Sequence, residues 1–456
     1  MATLAKAKTV TLIKQIAKTE VRKKSPKPAL DSDAPADNIT STAPGMDQMK
    51  EDAARIAKKI KGRTAGEMYE EQVGLPVYST GCIPLDLGIG RVDPKYGNGG
   101  VVGRTIAEIM GEPGVGKSLL SMCLIRSVQQ RGKVAILLMT EEPDWNAYKM
   151  MGIDIDSLVV INAYLNDDVE TADLMAETKM GEFLDGVSDP AVGIGIIDSI
   201  KSMSSALQLF ESGDAKAGTE RDLNSREVAP IAQLMDRFFH RWTKYRNDEV
   251  ILVMINHMTT PLLIGRFANV HQPGEENRPR SSGGRRKEFE STLRLVVASG
   301  SLKLKMPHPE LGQVNQPLQN YRMEYGRRIH IKIVKNRKAH RSGQRRVASN
   351  FLWETQSFDH AEDLACLLPA AGIVKREGNE FVYSKKNRWA TKKKFVNALN
   401  ANPKLVETFT KKLMLCSEDI FSYKSGGEKL KAKFRLGEVK ADKKLGAAVK
   451  DAEDDN

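Results

Sequence analysis

The stretch "GEPGVGKSLL", residues 111–120, places three glycines and a lysine in its first seven positions and then turns apolar. Glycine loses more backbone freedom on ordering than any other residue, so such a loop suits a place where main-chain N–H groups must approach a ligand closely. The preceding "TIAEIM" reads as a strand and the following "SLLSMCLI" as a helix. Together they give the strand–loop–helix context in which G-x-x-x-x-G-K-[ST] cradles phosphates. Gly111, Gly114 and Gly116, with Glu112, Pro113 and Val115 between them, are expected to wrap a triphosphate. The next helix turns its positive end toward that anion. Lys117 is the candidate to neutralise the β and γ oxygens, and the Ser118 hydroxyl the candidate ligand of Mg²⁺.

A phosphate loop of this kind needs a second carboxylate on the metal side. "VGIGIIDS" supplies Asp198 behind an apolar run, 81 positions after Lys117. An apolar strand ending in Asp is a weak signal alone and a strong one when coupled to the loop. Hydrolysis also needs a group that orients or deprotonates water. "AILLMTEE" ends a strand in Glu141 and Glu142. Residue chemistry does not separate these two, and either could instead be solvated or open the next helix.

Around this site the chain is long enough, at 456 residues, for two or three domains. Apolar runs "KVAILLM", "VGIGIID", "EVILVMIN" and "RIHIKIV" alternate with helical segments such as "APIAQLMDRFFHRWTKY". Strands apolar throughout predict a mostly parallel sheet covered on both faces. The fold expected is α/β: a phosphate-loop core at 76–355, followed by a small α+β domain at 356–435. Residues 1–44 are expected to be a disordered basic extension, 45–75 a helix with a linker, and 436–456 a tail. Within the small domain, "IVKREGNEFVY" predicts a hairpin turning at Gly378-Asn379, and helices are expected to start at Thr391 and Pro403.

Four cysteines lie far apart without a CxxC pair, which predicts reduced thiols rather than disulfides or zinc ligands. No apolar run reaches the roughly 18 residues of a membrane helix. The net charge is +12 and it is clustered. The first 30 residues carry eight Lys or Arg against one acid, and "NRPRSSGGRRK" (277–287) and "YSKKNRWATKKK" (383–394) follow. Clustering favours a nucleic-acid partner over a merely soluble surface.

The segments "STGCIPLDLGIG", "GRTIAEIMGEPGVGKS", "GKVAILLMTEE", "AYKMMGIDIDSLVV", "IIDSI", "ILVMINH", "SSGGRRKEFESTLRL" and "HIKIVKNRKA" fall in the order and spacing of one family. The chain resembles the RecA recombinases over about residues 79–415. That resemblance implies a RecA-type core and a DNA-dependent ATPase that uses ATP and Mg²⁺. It further implies a helical homo-filament on single-stranded DNA, with ATP between subunits, and strand exchange with duplex DNA in recombinational repair. Residue by residue, it marks Glu141 as the catalytic glutamate and Tyr148 as the ring stacked on adenine. A buried helix tyrosine is the plainer reading of Tyr148. Lys335 and Arg337 match two lysines that reach the neighbouring subunit's ATP. His257 follows Asn256 where the family carries the glutamine that reports the γ-phosphate to the DNA-binding loop.

The family's two DNA-binding loops map to about 204–226 and 259–287. Arg226, Arg266, Arg278, Arg280, Arg285, Arg286 and Lys287 are the expected phosphate contacts. Trp389 and Tyr383, among nearby lysines, are candidates for duplex capture or for a small structural core. Loader or single-strand-binding proteins are further expected partners, a membrane is not, and the cytoplasm of a bacterial or phage-infected cell, nucleoid-associated on DNA, is the expected location. A ring helicase of the same fold and a non-hydrolysing ATP- and DNA-binding scaffold are the rival readings.

Overall fold

The computed structural model describes residues 46–163, 175–203, 230–259, 280–307, 322–338, 345–384 and 387–416. The expected N-terminal extension, the tail, the first loop and most of the second lie outside these residues. Two compact units divide the chain, one ending at Glu70 and the other beginning at Glu71.

In the first unit, helix α1 (Met46–Lys59) leaves Met49 and Ile56 exposed, as is Ile60 just past its end. Helix α2 (Ala65–Gly74) opens on a T-x-x-E capping box. Thr64 N–H donates to Glu67 Oε2 at 2.9 Å, and Glu67 N–H to Thr64 Oγ1 at 3.3 Å.

The second unit takes in the end of α2, from Glu71, and then a short pair, β1 (Val77–Tyr78) and β2 (Val101–Val102), with α3 (Ile83–Ile89) between them. The core then alternates β3 (Ile106–Gly111), α4 (Lys117–Gln129), β4 (Val134–Met139), α5 (Trp145–Met150), β5 (Leu158–Asn162), α6 (Met175–Gly186) and β6 (Val192–Asp198). Next come α7 (Pro230–Tyr245), β7 (Ile251–Thr259), β8 (Arg280–Ser281) and α8 (Gly284–Glu290). Long strands β9 (Leu293–Pro307) and β10 (Arg322–Asn336) follow, then β11 (Arg345–Leu352) and β12 (Ser357–Phe358). One sheet joins them in the order β12-β11-β10-β9-β3-β7-β6-β4-β5, with β8 pairing on β7.

From β9 to β5 the neighbours run parallel, and both faces are covered as the apolar strands predict. Successive residues of β7 feed opposite cores. Ile251, Val253 and Ile255 pack on the α4 side, and Leu252 and Met254 on the side of α6 and α7. From β9 outward the sheet turns antiparallel. The run "RIHIKIV", expected among the parallel strands, is antiparallel on both sides: Ile329, Ile331 and Ile333 are buried while His330 between them is exposed. A strand with one wet face suits an antiparallel edge region.

The last elements are α9 (His360–Ala370), the three-stranded sheet β13 (Lys375–Glu377), β14 (Glu380–Val382) and β15 (Arg388–Trp389), then α10 (Lys392–Ala401) and α11 (Pro403–Leu415). The hairpin turns at Gly378, whose φ is +63°. Thr391 caps α10 by accepting from Lys394 N–H, and Pro403 opens α11. Trp389 packs 4.6 Å from Phe395 and Tyr383 meets Phe409 edge-on at 4.9 Å, so both rings serve the small core. Arg388 is taken up by Glu377 and Glu380, and Lys392 by Glu362. Among the described residues, no helix is long and apolar enough to cross a membrane.

Candidate active site

The parallel strands deliver their C-terminal ends to one edge, which is where open α/β sheets bind ligands. Register places Gly111 beside His257 and Met139 beside Asp198. The loop between β3 and α4 therefore opens next to the ends of β4, β6 and β7. Gly114 and Gly116 take φ of +70° and +101°, and an added Cβ at Gly111 would sit 2.4 Å from the Val297 carbonyl oxygen. The loop thus follows a path that side chains would block.

Lys117 is buried and folds back along the loop, its Nζ donating to Glu112 O at 2.7 Å and Gly111 O at 3.2 Å. Burial pushes its pKa down, against the pull of Asp198 and Glu141. Ser118 Oγ donates to Asp198 Oδ2 at 2.9 Å. Burial raises the Asp198 carboxyl, the Ser118 hydrogen bond opposes this, and Glu141 adds to it. The hydroxyl, the carboxylate and the lysine thus converge where a Mg²⁺-bound triphosphate fits: two oxygen donors suited to a hard cation, and a cation on the phosphate side.

Glu141, just past β4, is exposed and accepts from Ser202 Oγ at 3.1 Å. Ser202 is in turn linked to Ser199 Oγ at 3.0 Å, and Ser199 N–H donates to Thr140 Oγ1 at 3.0 Å. This hydroxyl chain ties Glu141 to the end of β6. Ser202, Ser199 and Thr140 were not marked by sequence reasoning, because serine and threonine after a strand are ordinary turn residues.

Two further placements were also missed. Arg327 on β10 donates from Nη1 to Gly114 O at 2.8 Å, a contact that only the sheet order creates. Glu108 lies fully buried in β3. Its one available signal was a charge inside an otherwise apolar strand.

His257 faces this edge. Burial and the charges of Lys117 and Lys201 lower its pKa, while Glu141 opposes them, so the imidazole favours its neutral form. Tyr148 is 2% exposed, 5.4 Å from Trp145, and belongs to the α4-side core.

Lys335 and Arg337 leave the end of β10. Lys335 Nζ donates to Glu288 O at 2.5 Å and Phe289 O at 3.0 Å, which caps α8. Burial, reinforced by Arg337, pushes Lys335 down to about 8. Arg337 is exposed.

The basic run at 285–287 divides on folding. It was expected to form the end of a loop, yet Gly283 and Gly284, at φ +98° and +75°, lead into the short helix α8. A helix turns about 100° per residue, so the three side chains face different surroundings. Arg285 is exposed. Arg286 donates to Asp236 Oδ1 at 2.9 Å and approaches His240 Nε2 at 2.8 Å. Lys287 is 0% exposed and ion-paired with Glu108. The expectation that Lys287 contacts DNA phosphate is therefore corrected: its ammonium lies under the sheet. Arg280 stands in β8, while Arg226, Arg266 and Arg278 lie outside the described residues.

The chain matches the family model of the RecA N-terminal domain over residues 49–351. Protein RecA of a Thermus thermophilus strain is 24% identical over 385 residues, covering 82% of this chain and 97% of that protein. Protein RecA of Thermus aquaticus is 24% identical over 370 residues, 80% of this chain and 93% of that one. Protein RecA of Syntrophobacter fumaroxidans is 21% identical over 346 residues, at 75% and 85%. With the family model spanning most of the chain and the phosphate loop, Asp198 and Glu141 meeting at one strand edge, the chain belongs to the RecA family.

Proposed function

We propose that this chain is an ATP-dependent recombinase that assembles as a helical filament on single-stranded DNA and exchanges strands with a homologous duplex. The observation that carries the reading is the meeting of Lys117, Ser118, Asp198 and Glu141 beside the paired ends of β7 and β8, which flank the basic segment. Main-chain N–H groups of 114–118 and the start of α4 hold the triphosphate, and Lys117 leaves the loop carbonyls for its β and γ oxygens. Ser118 and Asp198 would hold Mg²⁺, which would supply charge neutralisation at the phosphoryl group. Glu141 orients the attacking water and takes its proton. Exposed Met49 and Ile56 of α1, with Ile60 just past its end, supply an apolar face for the next subunit. Assembly then places Lys335 and Arg337 against the triphosphate of the adjacent protomer. Cations in that position bind triphosphate more strongly than diphosphate, so ATP favours the closed filament by differential binding.

The decisive experiment is strand exchange between single-stranded DNA and a homologous duplex with ATP and Mg²⁺. Joint molecules and a nicked product support the proposal. Closed rings in electron micrographs with fork unwinding replace it with a helicase, and DNA binding without phosphate release replaces it with a scaffold.

The shared site has its own test. A Lys335→Ala, Arg337→Ala variant should keep nucleotide binding and lose DNA-stimulated phosphate release. Mixing it with Lys117→Ala should recover part of the activity, because one mixed interface pairs an intact loop with intact cations. Failure at every mixing ratio, with both variants folded, would put the two cations in cis.

Salt dependence tests the DNA path. Changing Arg278, Arg280 and Arg285 to alanine should shallow the slope of log K against log salt on single strands, by about 0.7 for every phosphate no longer neutralised. Arg286→Ala should leave the slope near wild type, since Asp236 already engages that guanidinium. Anisotropy titrations at several salt concentrations measure both, and an unchanged slope in the triple variant moves the path elsewhere.

A further inference from the structure

The deepest ionisable cluster among the described residues lies outside the phosphate-binding machinery. Glu108, in the middle of β3, and Lys287, on α8, are both 0% exposed, and Arg294 on β9 is 7% exposed. Glu108 Oε1 accepts from Lys287 Nζ, from Ser281 Oγ at 2.5 Å and from Asn256 Nδ2 at 3.3 Å. Its Oε2 accepts from Arg294 Nε at 2.7 Å. Lys287 Nζ also donates to Ser281 Oγ. Burial alone would raise the carboxyl, but Lys287 and Arg294 outweigh it and hold the group ionised. One carboxylate thus joins four elements: α8, β8, β7 and β9.

Burying charges at this depth is a weak route to stability, because apolar packing of similar volume often does as well or better. What the cluster holds is more informative. β8 pairs antiparallel with the end of β7, Met258 opposite Ser281 and Thr259 opposite Arg280. This pair is the base at which the basic segment leaves the sheet and returns. Ser281 and Lys287 fix the returning side to Glu108, and Asn256 fixes the outgoing side. Asn256 Nδ2 also donates to Ser282 O at 2.7 Å, and its Oδ1 accepts from His257 N–H at 2.9 Å. Successive strand residues point to opposite faces. Asn256 therefore faces Glu108 while His257 faces the nucleotide edge, where the charges of Lys117 and Glu141 act on it. Asn256 thus links β8 to the strand end that carries His257.

We propose that Glu108 and Lys287 are positioning residues that couple the β7–β8 base to the nucleotide edge, through Asn256 and His257. This rests on the recombinase reading and supplies a coupling route in a chain that carries histidine at position 257. Lys287 acts from inside the fold, not by touching DNA.

Lys287→Met is the informative change. It removes one buried cation and leaves Glu108 paired with Arg294, so the buried carboxylate keeps a cationic partner. ATP binding and DNA-free phosphate release should match wild type. The stimulation by single-stranded DNA should fall by roughly 5-fold or more, the lower end of ordinary coupling between sites. Lys287→Arg should restore most of it. An unchanged stimulation ratio in folded Lys287→Met protein would overturn the proposal, as would an equal loss of turnover with and without DNA. Should Lys287→Met fail to fold, Ser281→Ala, which deletes one of the Glu108 hydrogen bonds, must lower the ratio in the same direction, and an unchanged ratio there overturns the proposal too. A wild-type protein without any DNA stimulation would remove the recombinase reading itself, and this inference with it.

Discussion

Lys117→Ala should reduce ATP turnover by roughly 10²–10³-fold, the loss expected when one preorganised charge donor is removed from a transition state. The side chain is buried at the mouth of the loop, hydrogen-bonded to Gly111 O and Glu112 O, with Asp198 and Glu141 as its nearest opposing charges. Among the described residues, no other lysine occupies that position in the loop. Arg327 reaches Gly114 O but approaches from β10, on the outer side. Phosphate release at saturating single-stranded DNA measures the effect, with a thermal melt to establish that the variant is folded. Hydrolysis near the wild-type rate in folded protein would remove the phosphate-binding assignment and everything built on it.

Glu141→Gln should leave ATP binding intact and slow hydrolysis by roughly 10²–10⁴-fold, the usual contribution of a positioned general base. Glutamine keeps the size of the side chain, and its Oε1 still accepts from Ser202, so the change removes the base without removing the anchor. Filaments on single-stranded DNA should persist far longer in ATP, visible by electron microscopy after nucleotide dilution. Glu142→Gln is the control and should turn over ATP near the wild-type rate. If Glu142→Gln carries the loss instead, the base is the neighbouring residue.

How much of the site was legible in advance follows from how local each feature is. The phosphate loop is a contiguous backbone device, and the eight residues 111–118 with their flanking strand and helix specify it. The same holds for Thr391 and Pro403 at their helix starts and for the hairpin at Gly378, each set by side-chain-to-backbone chemistry over a few positions. Apolar strand runs gave the α/β class and the covered parallel sheet, because burial on both faces leaves no polar alternation. The Ser202 hydrogen bond to Glu141 was not legible, because Ser202 is 61 residues away along the chain and reaches Glu141 only once β4 and β6 pair.

The tertiary structure alone decided the fates of the charged residues after position 280. In the sequence Arg285, Arg286 and Lys287 are three equivalent cations. In the fold one is solvated, one is shared with Asp236, and one is buried against Glu108. Helical rotation separates them, and strand order supplies the partner, since Glu108 lies 179 positions earlier. Lys335 likewise caps α8 from 46 and 47 residues away. The sequence determined by itself what the backbone does over a few residues and which runs are apolar enough to be buried. Which charge meets which depends on long-range pairing of strands, and a buried charge is stable only where that pairing brings its counterpart within hydrogen-bond reach.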